Sequence, residues 1–199
     1  MLRYISAILF CLALCGCANE HYRLYSVLDD AKDGQVVQLN GVDYSEKKSR
    51  TSKFNLLGML GYVSLDNVMA YDATNKVFNR LTTGPTLIEV ELINHNQFDP
   101  LVLSGISGEL FIENEKITPI GIEMAYGTGT CNSRSKSSVS KDSQLMVKPG
   151  QFVCYFFSYG QYVSPKTNIN FNFGAVQKQK TISELNLRLT PVVVKSSSH

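Results

Sequence analysis

Thr86-Leu87-Ile88-Glu89-Val90-Glu91-Leu92-Ile93-Asn94 alternates in character along its length. Ile88, Val90 and Leu92 fall on one phase, and Leu87, Glu89 and Glu91 on the other. Successive side chains of a strand point to opposite faces, so this stretch predicts a β-strand with one buried and one wet face. The same grammar recurs downstream in Val153/Tyr155/Phe157, Ile169/Phe171/Phe173 and Leu185/Leu187/Leu189. From residue 86 onward the predicted strands cover residues 86–94, 101–103, 109–113, 117–122, 144–148, 152–158, 168–173 and 185–194. Turn signals separate them at Asp99-Pro100, Asn114-Glu115, Pro149-Gly150 and Ser164-Pro165. Many short strands at this spacing indicate an antiparallel sandwich or barrel. A transmembrane barrel is not expected, because apolar-out segments of about ten residues are too few.

Working back from residue 86 the pattern loosens. Residues 18–35 read as a tether and a short helix, with Tyr22, Tyr25, Leu28 and Ala31 at three-residue intervals and Gly34 as a stop. Residues 36–44 read as strand with an Asn40-Gly41 turn inside. Residues 45–53 are polar and basic, and a solvated loop is favoured over contact with lipid phosphate. Residues 54–71 crowd apolar side chains around Gly58 and Gly61. A buried strand pair or short helix explains them. The sharper alternative is a partner surface carrying Phe54, Leu57, Met59, Leu60 and Tyr62. Residues 132–143 are serine-rich and read as a long exposed loop, and residues 195–199 as a free tail.

The first twenty residues, MLRYISAILFCLALCGCANE, place Arg3 before an uncharged apolar run from Tyr4 to Leu14, then small residues and Cys17. That order is a secretion signal, and the run is far short of the ~20 residues a membrane-spanning helix needs. Leu14-Cys15-Gly16-Cys17 resembles the lipobox of bacterial lipoproteins. The resemblance implies cleavage after Gly16, a diacylglycerol thioether on Cys17 and acylation of the new amine. With Ala18 next and no Asp, it implies, in a Gram-negative cell, an outer-membrane protein facing the periplasm, with surface exposure left open.

Removal of residues 1–16 leaves 199 − 16 = 183 residues, enough for one domain, and takes the formal charge from +2 to +1. Such a balance gives no reason to expect nucleic acid. Of five cysteines, the signal reading removes Cys11 and Cys15, and the lipobox resemblance implies lipid on Cys17. Cys131 and Cys154 remain, and in an oxidising compartment they are expected to pair. A metal site or catalytic thiol lacks partners, since no C-x-x-C occurs and His21, His95 and His199 are scattered.

No nucleophile elbow, zincin, phosphate-loop or dinucleotide motif is present. No catalytic residue, cofactor site or metal site is expected, and the chain is read as a non-enzyme. Glu89 and Glu91 share a strand face that is solvent-side if Val90 is inside.

The run from Val90 through Asn94-His95-Asn96-Gln97-Phe98-Asp99-Pro100-Leu101 into Leu103-Ser104-Gly105-Ile106-Ser107-Gly108-Glu109-Leu110-Phe111-Ile112 resembles the late-embryogenesis-abundant type-2 sandwich over about 35 residues. That resemblance implies an immunoglobulin-like fold and no activity. The sequence reading is therefore a mainly β protein: residues 1–16 a signal, 17–35 a lipidated tether with a short helical or extended segment, 36–194 an immunoglobulin-like antiparallel β-sandwich, 195–199 a tail. The function expected is contact with other envelope proteins in an assembly such as a secretion-system outer-membrane complex. A sandwich binding a lipid, glycan or small apolar ligand stands as the alternative, with an envelope hydrolase behind it.

Overall fold

The computed structural model describes residues 20–29, 36–39, 42–46, 51–128, 131, 135–140 and 143–197. The signal, Cys17 and part of the serine-rich loop lie outside the described residues. In chain order the strands are β1 (Glu20–Leu28), β2 (Val36–Leu39), β3 (Val42–Glu46), β4 (Thr51–Leu56), β5 (Met59–Asp66), β6 (Met69–Asp72), β7 (Val77–Arg80), β8 (Leu87–Asn94), β9 (Leu101–Ser104), β10 (Glu109–Ile112), β11 (Glu115–Ile117), β12 (Gly121–Gly127), β13 (Ser137–Ser138), β14 (Leu145–Val147), β15 (Phe152–Ser158), β16 (Ile169–Lys178) and β17 (Thr181–Ser197).

One sheet runs β13-β12-β15-β8-β5-β4. The other holds β10-β16-β17, with β9 continuing the place of β10 along β16. Taking β5, β8, β9/β10, β12, β15, β16 and β17 as A to G gives sheets A-B-E-D and C-F-G. That is the constant-type immunoglobulin arrangement. The fold is an immunoglobulin-like antiparallel β-sandwich.

Alternation explains which faces meet. Ile88, Val90 and Leu92 are buried from one sheet, and Phe171, Phe173, Leu187 and Leu189 from the other. Tyr155, Phe157, Phe171 and Phe173 form the aromatic centre, with mostly edge-to-face contacts at 5.2–5.9 Å between ring centroids. Such geometry sets the positive ring edge against the negative face. The C position is broken by residues 105–108, opposite a register shift in β16 between Asn172 and Gly174. Gly174 has φ +139°, and a Cβ there would sit 2.8 Å from the Gly105 carbonyl oxygen. Only glycine lets the two backbones approach this closely.

The unusual element is β17. Seventeen residues at about 3.3 Å each make a strand of roughly 55 Å. Its first half, to Leu189, pairs with β16, and its second half, Leu189 to Ser197, pairs with β1. Beyond the sandwich β17 carries an auxiliary sheet. β1 and β6 lie on one edge, and β3 pairs in parallel at Val192 and Val193 on the other. Leu24, Tyr44, Met69, Phe78 and Val193 form its own small core. Pro191 falls between the residues paired to β16 and those paired to β3, where among the described residues no strand faces that edge.

Several expectations are corrected here. The short helix read within residues 18–35 is instead, over Glu20–Leu28, strand β1, the extended form of that segment. Its three-residue spacing of aromatics is overridden by a nine-residue ladder to β17, and Leu24, Tyr25, Val27 and Leu28 are all buried. The domain therefore starts before residue 36, and the 195–199 tail is strand up to Ser197. The predicted strand over 117–122 is split. Pro119 has no N–H for a ladder, and Ile120 is 75% exposed between β11 and β12. The polar stretch 45–53 supplies the end of β3 and the start of β4, with residues 47–50 outside the described residues. Residues 54–71 form β4, β5 and the start of β6.

Candidate functional site

The sandwich has two ends. At one, Glu20 of β1 faces Ser197 of β17. At the other lie the Leu57-Gly58 turn before β5, the loop from Asn94 to β9, the Pro149-Gly150 turn before β15 and the turn at Gln179 between β16 and β17. In immunoglobulin terms these last three precede C, E and G, and they sit together as loops of one end do.

Asn94 ties this tip together. It is fully buried, and its Nδ2 donates to the carbonyls of Asp99 and Val147, both at 2.9 Å. Its Oδ1 accepts from the Asn96 backbone N–H at 2.9 Å and from Asn96 Nδ2 at 2.9 Å. Asn96 Nδ2 also donates to the Leu57 carbonyl at 3.1 Å, and Lys178 Nζ donates to Asn96 Oδ1. Asp99 pairs with Lys178 at 3.4 Å and accepts from Gln179 Nε2 at 2.8 Å. A loop held from four elements projects one unpaired apolar side chain: Phe98, 80% exposed. Lys148 and Lys180 are exposed at the neighbouring turns of the same end.

In the sequence Phe98 reads only as part of the turn before Pro100. Its signal, an aromatic among Asn, Gln and Asp between two strands, fits a buried turn as well as an exposed contact. The five residues expected to form a partner surface are not brought together. Phe54 and Met59 are buried in the main core. Leu57 sits at the tip beside Asn96. Leu60 and Tyr62 are half-buried on the outer face of β5.

Cys131 and Cys154 form a disulfide with Cα atoms 5.9 Å apart. It closes 23 residues, worth about 3 kcal/mol in the chain-entropy description. The bridge lies on the outer face of the β12–β15 pair, packed with Ala125 and Phe152, rather than between the sheets. Part of the loop it restrains is ordered as strand β13 against Glu123 and Met124.

Glu91 stands opposite Cys154 across the β8–β15 ladder, with a carboxylate oxygen within 4.8 Å of both sulfurs. Bonded to each other, the sulfurs are not free to ligate a metal. Burial pushes the Glu91 carboxyl above the usual carboxylate range, and Glu89 beside it pushes the same way. A raised carboxyl penalises the folded state only once ionised, so the penalty is absent at low pH and appears as pH rises through the folded value. Glu91→Gln is therefore expected to raise the melting temperature at pH 7 by about 1–3 °C and to change nothing at about pH 3. Thermal melts across that range check it, and an equal shift at both pH values would refute it.

No protein-family profile matches the chain, and no curated relative is similar to it. Solved structures similar to it include the GAE domain of yeast GGA1, at 9% identity, 74% of this chain and 97% of that one, with TM-score 0.27. A mutant of the major pilin from Streptococcus pyogenes is similar at 7% identity, 89% of this chain and 91% of that one, with TM-score 0.19. Neither superposition carries weight here. The fold assignment rests on strand order and register.

Proposed function

We propose that this chain is a lipid-anchored envelope protein whose sandwich holds a protein partner at the loop end. The observation that carries the reading is the placement of Phe98, fully presented on a tightly bonded loop at the end of the sandwich away from Glu20. Cys17, the lipobox cysteine, is three residues before Glu20, and three extended residues span at most about 11 Å. A lipid on Cys17 therefore sits beside the auxiliary sheet, and the roughly 55 Å of β17 holds the loop end away from the membrane. Exposed aromatics on rigid supports are the usual anchors of protein interfaces. The dense aromatic core favours contact at the surface over a ligand held between the sheets. With Ala18 after Cys17, the lipobox resemblance supports, in a Gram-negative cell, an outer-membrane anchor and a role in an assembly such as a secretion-system outer-membrane complex.

Purification in mild detergent followed by sizing tests this. The full chain is expected to elute with a co-purifying envelope protein, and Phe98→Ser is expected to lose that protein while keeping its own melting temperature. A monomer with nothing bound sinks the reading.

A further inference from the structure

The outer face of the A-B-E-D sheet holds a second feature, independent of the tip. Glu123, Phe156, Glu89 and Ser64 stand in one cross-strand row over β12, β15, β8 and β5. Directly opposed side chains have Cβ atoms about 5 Å apart, so Phe156 stands between two acidic residues. In the next row Leu87, 45% exposed, stands opposite Asp66. Together they line a cleft of about 480 Å³.

The cleft has an occupant from the chain itself. Lys136, just before β13, places its Nζ 3.5 Å from the centroid of the Phe156 ring. An ammonium over an aromatic face is attracted by the ring quadrupole, and flanking carboxylates add to the attraction. Among the described residues that line the cleft, Asp66, Glu89 and Glu123 bring three negative charges against the one positive charge of Lys136. The exposed Leu87 side chain offers apolar surface that an alkyl stem covers.

We propose that the cleft over Phe156 is a binding site for an alkylammonium group, and that Lys136 fills it as a tethered stand-in that the ligand displaces. The ring floor takes the cationic head, Glu89 and Glu123 flank it, and Leu87 packs against the stem. A lysine of a basic peptide and a polyamine share this chemistry. Because Lys136 competes from within the chain, it lowers apparent affinity by the fraction of time the cleft stays open.

Titration calorimetry on the full chain in detergent, with tetralysine in one arm and spermidine in the other, tests this. Lys136→Ala is expected to bind at least one of them about tenfold more tightly than the unaltered chain. Adding Phe156→Leu to Lys136→Ala is expected to lose about fivefold or more, as is adding Glu89→Gln with Glu123→Gln. The tighter of the two probes identifies the source of the ammonium. Thermal melts confirm that each variant is folded. Two results overturn the proposal: Lys136→Ala binding neither probe better than the unaltered chain, or tightened binding that survives Phe156→Leu unchanged.

Discussion

Phe157→Ala is expected to lower the unfolding free energy by about 3–5 kcal/mol, the range for deleting a buried aromatic. Phe157 is fully buried on β15. Its ring centroid lies 5.3 Å from Phe171 and 5.9 Å from Phe173 in the facing sheet, and 6.2 Å from Tyr155 beside it. Truncation removes the contact that locks the two sheets at their centre and leaves a cavity that three rings cannot fill without leaving their own packing. The other side of Phe157 is closed by backbone. A Cβ on Gly108 would meet the Phe157 ring at 2.1 Å, and Gly108 has φ +60°, so the wall there has no room to yield. A domain of this kind is stable by about 5–15 kcal/mol, so the loss is a large share of the total. Urea unfolding checks it as a lower midpoint at unchanged slope. A cost under about 1 kcal/mol would mean that the aromatic centre is not packed as described.

Cys17→Ala is expected to abolish membrane attachment altogether. One acyl chain gives only marginal binding, whereas a diacylglycerol with a further acyl group buries many methylenes at about 0.8 kcal/mol each. The change is therefore nearly all-or-none: membrane pellet before the substitution, and soluble or uncleaved precursor after it. Labelling with radioactive palmitate gives the chemical readout. The anchored reading is wrong if Cys17→Ala still takes up label or stays with the membrane. Because β1 begins at Glu20 and is bonded along its length to β17, the sandwich itself is expected to melt at the same temperature in both forms.

Much of the fold was legible in the sequence, for a physical reason. Strands such as β8, β15 and β16 are buried on one face only, so alternation writes their orientation directly into residue type. Two departures share a cause. β1 buries side chains on successive residues, Leu24 through Leu28, so its pattern shows no period of two and a three-residue spacing of aromatics reads as helix. β6 and β7 are short and join an auxiliary sheet whose small core comes from residues far apart in the chain, such as Tyr44, Phe78 and Val193. The disulfide was readable because the signal reading takes Cys11, Cys15 and Cys17 out of the count and leaves two cysteines to pair. The tip was not: Asn94 reads as the end of a strand, and only the fold shows it binding the Asp99 carbonyl five residues on and the Val147 carbonyl 53 residues away. Phe54 and Met59 read as core, with a partner surface as the alternative, and pairing register sent them inward.

The most direct test of a membrane-tethered contact domain is cross-linking in intact cells from a photoreactive residue placed at position 98. The control is the same residue at position 77, on the exposed β6–β7 hairpin of the auxiliary sheet. A discrete adduct to one envelope protein from position 98, absent from position 77, is the result predicted. No adduct from position 98, or the same diffuse pattern from both positions, would contradict the account.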